Sequence, residues 1–315
     1  MALVEVRELV KRYEPDGPNA VDDVSFDIQA GEMFSLLGPN GAGKTTTISM
    51  MSTLLTPTEG RIRIDGHDTQ QEAMAVRRRI GVVPQDLALY MELTAEENLR
   101  FWGEMRGLSG SELKREVAEK LALMELTGRA KDRVKTFSGG MKRRLNLAVG
   151  LLGSPPLVML DEPTVAIDPQ SRRYILDWVK GMAYNGTTVL YTTHYMEEAQ
   201  ELSDRIGIMD QGRLIAIGTL NELTQLVGEH ETLVFQLTQS TGGAELAERI
   251  GSVPAVHQAT SNDGELIVNA DSAEAVLPVV VGAASDLGLS IRTIEIQEPN
   301  LETVFLHLTG RALRD

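Results

Sequence analysis

The chain has 315 residues, 42% hydrophobic and 24% charged, with a formal net charge of −15 and a sequence pI near 4.9. That length is enough for a sizeable core and suggests one large plus one small domain. The acid excess argues against a surface that coats DNA, which needs clustered Lys and Arg, and the lack of cysteine excludes disulfides, thiolate metal sites and a cysteine nucleophile.

The first residues, Met1-Ala2-Leu3-Val4-Glu5-Val6-Arg7-Glu8, carry carboxylates inside their apolar stretch, so no secretory signal is expected. Met33-Phe34-Ser35-Leu36-Leu37 reads as a buried strand. It runs straight into Gly38-Pro39-Asn40-Gly41-Ala42-Gly43-Lys44-Thr45, the G-x-x-x-x-G-K-[ST] pattern at a strand-to-helix junction. Its glycines let successive backbone N–H groups point inward as an anion nest, and the following helix adds its positive end. Lys44 would reach the β- and γ-phosphates, and Thr45 would offer a hydroxyl to Mg²⁺. The dinucleotide fingerprint fails, because Thr46 stands where its third glycine belongs. A nucleoside triphosphate is the expected ligand.

Next come Val82-Val83-Pro84-Gln85 and the apolar positions Leu87, Leu89, Tyr90 and Met91, which suit either internal packing or a groove for a partner's helix. Residues 93–126 are mostly helical by their spacing of apolar positions three and four apart. In Thr136-Phe137-Ser138-Gly139-Gly140-Met141-Lys142-Arg143-Arg144-Leu145, Ser138 is a good N-cap and the glycines admit a phosphate, while the three cations are expected to make that end electropositive. The apolar run from 145 to 160 is broken by Asn146, Gly150, Gly153, Ser154, Pro155 and Pro156, so no bilayer span is expected there and any channel must come from another polypeptide.

Leu157-Val158-Met159-Leu160-Asp161-Glu162 is a buried-strand run ending in two carboxylates, where ligands of an open α/β sheet gather. Asp161 is placed to hold Mg²⁺, and Glu162 to take a proton from the attacking water. Val189-Leu190-Tyr191-Thr192-Thr193-His194 is a similar strand, and His194 at its end is placed to contact a γ-phosphate. A hairpin is predicted from 206–209 and 214–217, turning at Asp210-Gln211-Gly212. The pattern shifts near Gly228-Glu229-His230-Glu231. Residues 231–315 hold 12 acidic and 4 basic residues, a net of −8. Predicted strands at 233–237, 253–259, 265–270 and 290–296 and helices at 244–250, 273–287 and 301–308 make a βαββαβ sandwich followed by one helix.

In this order, these segments resemble the ATP-binding cassette (ABC) ATPases over residues 3–226. Residues 38–45 match Walker A, Gln85 the Q-loop glutamine, and Ser138, Gly139 and Gly140 the signature motif. Asp161 and Glu162 match Walker B with its catalytic glutamate, Asp168 the D-loop aspartate, His194 the switch histidine and Tyr13 the aromatic that stacks on adenine. Met141 stands where many members have glutamine, and Ala166-Ile167-Asp168 where Gly-Leu-Asp is frequent. Glu298-Pro299-Asn300-Leu301-Glu302-Thr303-Val304-Phe305 resembles the C-terminal extension of ABC-2 exporter ATPases, including the daunorubicin-resistance group.

The resemblance implies an α/β fold of P-loop NTPase type, with a mixed core sheet, an antiparallel β subdomain and a helical subdomain at about 87–150. It places the ATP-binding domain at 1–228 and a small α/β domain at 231–315. It implies ATP hydrolysis with Mg²⁺ held through Thr45, Gln85 and Asp161, and Lys44, Gln85, Glu162 and His194 in the chemistry. Residues 38–46, Tyr13, Ser138, Gly139, Gly140 and Asp168 would bind nucleotide. The implied partners are a second copy, which sandwiches two ATP molecules, and a separately encoded integral-membrane permease, with no nucleic acid. The implied location is the cytoplasmic face of the membrane, and the implied task is to power export of a substrate the sequence does not name, as in the antibiotic-resistance group. An ABC importer subunit, or a non-transport member acting on ribosomes or DNA, is the alternative. Ribosome-acting members usually carry two cassettes and DNA-repair members a long coiled coil, whereas this chain has one phosphate loop and no sustained heptads.

Overall fold

The computed structural model describes residues 2–184, 186–226, 231–239, 242–262, 264–297 and 300–309. Two compact units emerge, Met1–Thr219 and Leu220–Ala312. The compositional boundary at Gly228-Glu229-His230 and the Glu298-Pro299 pair lie outside the described residues.

The first unit contains two sheets. The strands are β1 (Ala2–Arg12), β2 (Asn19–Gln29), β3 (Met33–Leu37), β4 (Glu59–Ile64), β5 (His67–Asp68), β6 (Ile80–Val83), β7 (Leu157–Asp161), β8 (Thr188–Thr193), β9 (Arg205–Asp210) and β10 (Arg213–Gly218). Between them lie α1 (Lys44–Met51), α2 (Ala73–Arg79), α3 (Ala95–Met105), α4 (Gly110–Leu123), α5 (Gly139–Gly150), α6 (Pro169–Tyr184) and α7 (Met196–Leu202). One sheet is antiparallel, in the order β2-β1-β4-β5. Its alternation is that of a sheet with one buried face: Val4, Val6, Phe26, Ile28, Ile62 and Ile64 are buried. The other has the order β10-β9-β3-β8-β7-β6, parallel except for the edge strand β10.

Every residue of β3, β7 and β8 is buried, as expected of strands covered on both faces. Phe26 stacks on Phe34 at 5.2 Å and ties the two sheets together. Because β3, β8 and β7 are parallel neighbours, their C-terminal ends set Gly38, His194 and Glu162 along one edge, the place where open α/β sheets bind ligands.

The helices α3, α4 and α5 form the helical subdomain around Leu99, Leu113, Val117, Leu121, Phe137 and Leu145. A capping box starts α3, with Thr94 Oγ1 accepting from Glu97 N (3.2 Å) and Glu97 Oε2 accepting from Thr94 N (2.8 Å). Residues 84–92 are irregular, not helical. There Leu89 and Met91 pack against the core, while Tyr90 stays about half exposed, edge-on to Phe101. The predicted hairpin is β9–β10. Gln211 (φ 48°) and Gly212 (φ 80°) make its two-residue turn, both left-handed as a type I′ turn requires.

The second unit runs α8 (Leu220–Gln225), β11 (Glu231–Leu237), α9 (Gly243–Gly251), β12 (Val256–Asn262), β13 (Glu265–Ala270), α10 (Ala273–Asp286), β14 (Ile291–Gln297) and α11 (Leu301–Thr309). Its sheet is antiparallel in the order β12-β13-β11-β14, the βαββαβ arrangement. Leu233, Phe235, Leu246, Ile250, Leu266, Val268, Val276 and Val280 make a core of its own. Two expectations shift. The strand placed at 253–259 is β12 at Val256–Asn262, because Val253 closes a turn from Ile250. The second unit also starts at Leu220, earlier than the compositional boundary, because α8 packs on α11.

Candidate nucleotide site

Lys44 opens α1 and is buried. Its Nζ donates to Gly38 O (2.7 Å) and Pro39 O (3.0 Å) and lies 3.0 Å from Glu162 Oε1. The loop has to be this tight: a Cβ on Gly38 would fall 2.2 Å from Met209 O, and Gly43 sits at φ 100° with Ala20 O in the way. Ala42 is buried and its carbonyl accepts from Gly212 N of the hairpin turn (3.1 Å), whereas Asn40, Gly41 and Thr45 are exposed.

Three groups converge on the Glu162 carboxylate. Besides Lys44, Gln85 Nε2 approaches Oε2 at 3.4 Å and His194 Nδ1 lies 3.3 Å from it. That histidine nitrogen is buried and has no hydrogen-bond partner, since its angle to Glu162 is poor. Thr192 fixes the backbone beside them: its Oγ1 accepts from Glu162 N (3.0 Å) and donates to Asp161 Oδ1 (2.7 Å). Thr45 Oγ1 also donates to Asp161 Oδ1 (3.2 Å). Burial is the largest effect on Asp161 and pushes its pKa up, against the hydrogen bonds from Thr192 and Thr45. Glu162 itself has φ 44°, an uncommon conformation for a non-glycine residue, and Ala166 follows at φ 58°. Glycine would hold the position of Ala166 without that cost.

Tyr13 follows β1. Its ring is 61% exposed, its hydroxyl is 3.2 Å from Thr46 Oγ1, and Lys11 Nζ sits 5.6 Å from the ring centre. An exposed ring beside the phosphate loop is free to stack on a base.

Ser138, Gly139, Gly140 and Asp168 lie elsewhere. Ser138 caps α5, accepting from Met141 N (3.2 Å), and Ser138 and Gly139 are exposed. Asp168 caps α6 through Ser171, accepting from its N (2.9 Å) and Oγ (2.7 Å), and these bonds hold its pKa down. No hydrogen bond or ion pair joins these four to Lys44, Asp161 or Glu162 among the described residues. Gly140 packs so closely on α6 that a Cβ would meet Ser171 Oγ at 2.0 Å.

The expected electropositive end of α5 needs correcting. Arg143 is buried and donates to Pro84 O (3.2 Å) and Gln85 O (2.9 Å). Arg144 donates to Met124 O and Glu125 and stacks over Tyr174. Asn146 Nδ2 also donates to Pro84 O (3.3 Å). So Arg143, together with Asn146, fixes the backbone around Gln85 to α5, a pairing across about 60 residues that no local pattern reveals. A surface cavity of about 520 Å³ lined by Arg172, Leu176, Tyr195, Glu197, Glu198 and Glu201 includes none of the phosphate-loop residues.

The family model described as ABC transporter matches residues 21–165. The linearmycin resistance ATP-binding protein LnrL of Bacillus subtilis (strain 168) is 48% identical over 94% of this chain and 95% of that protein. The chain belongs to the ABC transporter ATP-binding proteins. Another relative, the daunorubicin/doxorubicin resistance ATP-binding protein DrrA of Streptomyces peucetius, is 40% identical over 99% of this chain and 94% of its own. Among solved structures, the dimeric post-hydrolysis state of the ATP-binding cassette MJ0796 bound to ADP and Pi matches with a TM-score of 0.63 and 29% identity. It covers 69% of this chain and 98% of that one. As an ABC ATPase, the chain binds ATP and is an ATP hydrolase, and its first unit has the P-loop NTPase fold.

Proposed function

We propose that this ABC ATPase hydrolyses Mg·ATP with residues 38–46, Gln85, Asp161, Glu162 and His194, and powers export of a drug-like compound through a separately encoded membrane permease. The observation that carries the reading is the buried Lys44–Glu162 pair at 3.0 Å, with Gln85 and His194 turned to the same carboxylate. In it Lys44 rests on an anion and on loop carbonyls. The β- and γ-phosphates of ATP take over as its partners, and Glu162 is then left facing the reacting phosphoryl group. There it accepts a proton from the attacking water, and His194 beside it stabilises the charge that develops.

The residues at Asp161 suit a magnesium ion. Thr45 Oγ1 and Asp161 Oδ1 are hard oxygen donors 3.2 Å apart, and Thr192 holds the carboxylate in place. Bound there, the ion neutralises charge on the phosphates. Gln85 reaches the adjacent Glu162 carboxylate, and Arg143 ties its backbone to α5. Tyr13 takes the adenine.

Ser138, Gly139, Gly140 and Asp168 serve the ATP of a second copy. Among the described residues no hydrogen bond or ion pair joins them to their own chain's phosphate loop, and a two-fold dimer brings two such surfaces onto two nucleotides. Among the described residues no helix is long and apolar enough to cross a membrane, which agrees with a subunit docked on the cytoplasmic side of a permease. The resistance relatives favour export over import.

The test is phosphate release by the purified protein. It should require ATP and a divalent cation and should be lost in Lys44→Ala. A folded Lys44→Ala protein that turns over ATP at the wild-type rate refutes the site. Co-expression with a candidate permease should lower accumulation of its cargo only with an active cassette.

A further inference from the structure

Below His194 lies a network that the chemistry above does not use. Glu198, on the first turn of α7, is 1% exposed, and its carboxylate has three donors. Oε2 accepts from Tyr191 OH (2.9 Å) and Thr193 Oγ1 (2.8 Å), and Oε1 accepts from Arg172 Nε (2.7 Å). A buried carboxylate is tolerated only when it is paired and hydrogen-bonded, and this one is both.

Each donor leads to a functional segment. Thr193 precedes His194, and its hydroxyl also accepts from Tyr195 N (2.9 Å), so both neighbours of the histidine are fixed through one side chain. Tyr195 packs its ring 4.2 Å from the His194 ring, and the Arg172 guanidinium lies 4.1 Å from the Tyr195 ring centre. Tyr191 OH lies 3.4 Å from Thr164 Oγ1, two residues beyond Glu162. Arg172 sits on α6, the helix that Asp168 caps.

We propose that Glu198 is the positioning residue for His194, and that its pair with Arg172 couples the histidine to the Asp168 end of α6. A shift of that end, such as engagement of a second copy would cause, then reaches the histidine through Arg172, Glu198 and the backbone on either side of residue 194. This rests on the assignment of His194 to the reaction.

Two variants test it, Glu198→Gln and, as a milder break at a partly exposed residue, Arg172→Lys. Both should lower kcat roughly 10- to 100-fold, the scale of a small misplacement of a reacting group, with KM for ATP and nucleotide affinity changed less than about threefold. The histidine ring resonances that vanish in His194→Ala should shift in both variants, which a general loss of stability would not produce. In a His194→Ala background, adding Glu198→Gln should cost nothing more. If His194→Ala alone leaves kcat unchanged, the histidine assignment falls, and this proposal with it. If His194→Ala lowers kcat but Glu198→Gln leaves kcat and the ring resonances as they were, or lowers kcat equally in both backgrounds, the coupling through Glu198 is refuted while the site stands. Should Glu198→Gln fail to fold, Arg172→Lys decides by the same readouts.

Discussion

Glu162→Gln is the sharpest probe of the site, because it should move binding and turnover in opposite directions. Glu162 and Lys44 are both almost fully buried and 3.0 Å apart. A phosphate oxygen bonded to Lys44 Nζ at ~2.8 Å would then stand no more than ~6 Å from the Glu162 carboxylate. Two unit charges at that separation repel by ~3 kcal/mol at an effective dielectric of ~20, and water and a metal ion cut this to about 1–2 kcal/mol. Glutamine keeps the shape and removes the charge. ATP should therefore bind about 5- to 30-fold more tightly, since 1.4 kcal/mol is a factor of ten. Turnover should fall at least roughly 10²-fold with the loss of general-base help. Titration with a fluorescent ATP analogue reads the first, and phosphate release the second. An ATP-loaded dimer should accumulate in light scattering. Weaker ATP binding, or turnover within a few-fold of wild type, would refute the argument that this carboxylate both repels the phosphates and activates water.

Asp161→Asn should separate stability from function. Burial holds the Asp161 pKa above its ordinary value, so the folded chain keeps that proton more readily than the unfolded one. Its contribution to stability is therefore largest in acid and is lost as pH rises through the raised pKa. The Asn variant without nucleotide should melt no lower than wild type near neutral pH, with its advantage shrinking toward acid, and Mg²⁺ should no longer strengthen its ATP binding. A chain ending at Thr219 should fold and bind Mg·ATP with little loss, because the second unit has its own core; a folded truncation with no ATP affinity would make the tail part of the catalytic unit. Gly139→Asp meets nothing within 4 Å of its new Cβ, so it should fold normally and bind ATP as a monomer, yet lose ATP-driven dimerisation and turnover. Wild-type dimerisation by that variant would remove Ser138–Gly140 from the partner's nucleotide.

What the sequence revealed was whatever depends on local pattern. The all-apolar strands, the phosphate loop, Asp161 and Glu162, His194, the two-residue turn at Gln211 and the βαββαβ order of the tail all follow from side-chain period and turn chemistry. What it hid are pairings across many residues. Arg143 and Asn146 read as a basic helix start and an interruption, yet both hold the backbone around Gln85. Glu198 reads as one carboxylate among several on a short helix, because nothing local shows that Arg172 lies opposite it. Ala166 stands where glycine is frequent, and only its φ of 58° exposes the cost of that replacement. The unit boundary was misplaced for the same reason. Composition marks the change near residue 228, whereas packing assigns the helix Leu220–Gln225 to the second unit.

The charge pattern also supports the proposal that one copy of this chain supplies half of each catalytic site. The protein is strongly acidic, and several helices of its first unit carry a carboxylate at the N-cap or in the first turn, near the positive end of the helix. Glu96 and Glu97 lie there in α3, Glu112 in α4, Glu197 and Glu198 in α7, Glu72 at the start of α2 and Asp168 at the start of α6. Among the described helices of the first unit, α1 and α5 alone open without one. They begin at Gly43 and Ser138, with no acidic residue in the first turn. An acidic chain that leaves two helix starts without a carboxylate leaves room for an anion at each. At α1 the position is filled within the chain, because Lys44 rests on Glu162 until phosphate arrives. At α5 the Ser138 hydroxyl caps the helix, accepting from Met141 N, and Ser138 and Gly139 face solvent. In the proposed two-fold dimer each α1 pairs with the other copy's α5, and nucleotide completes the electrostatics of both helices.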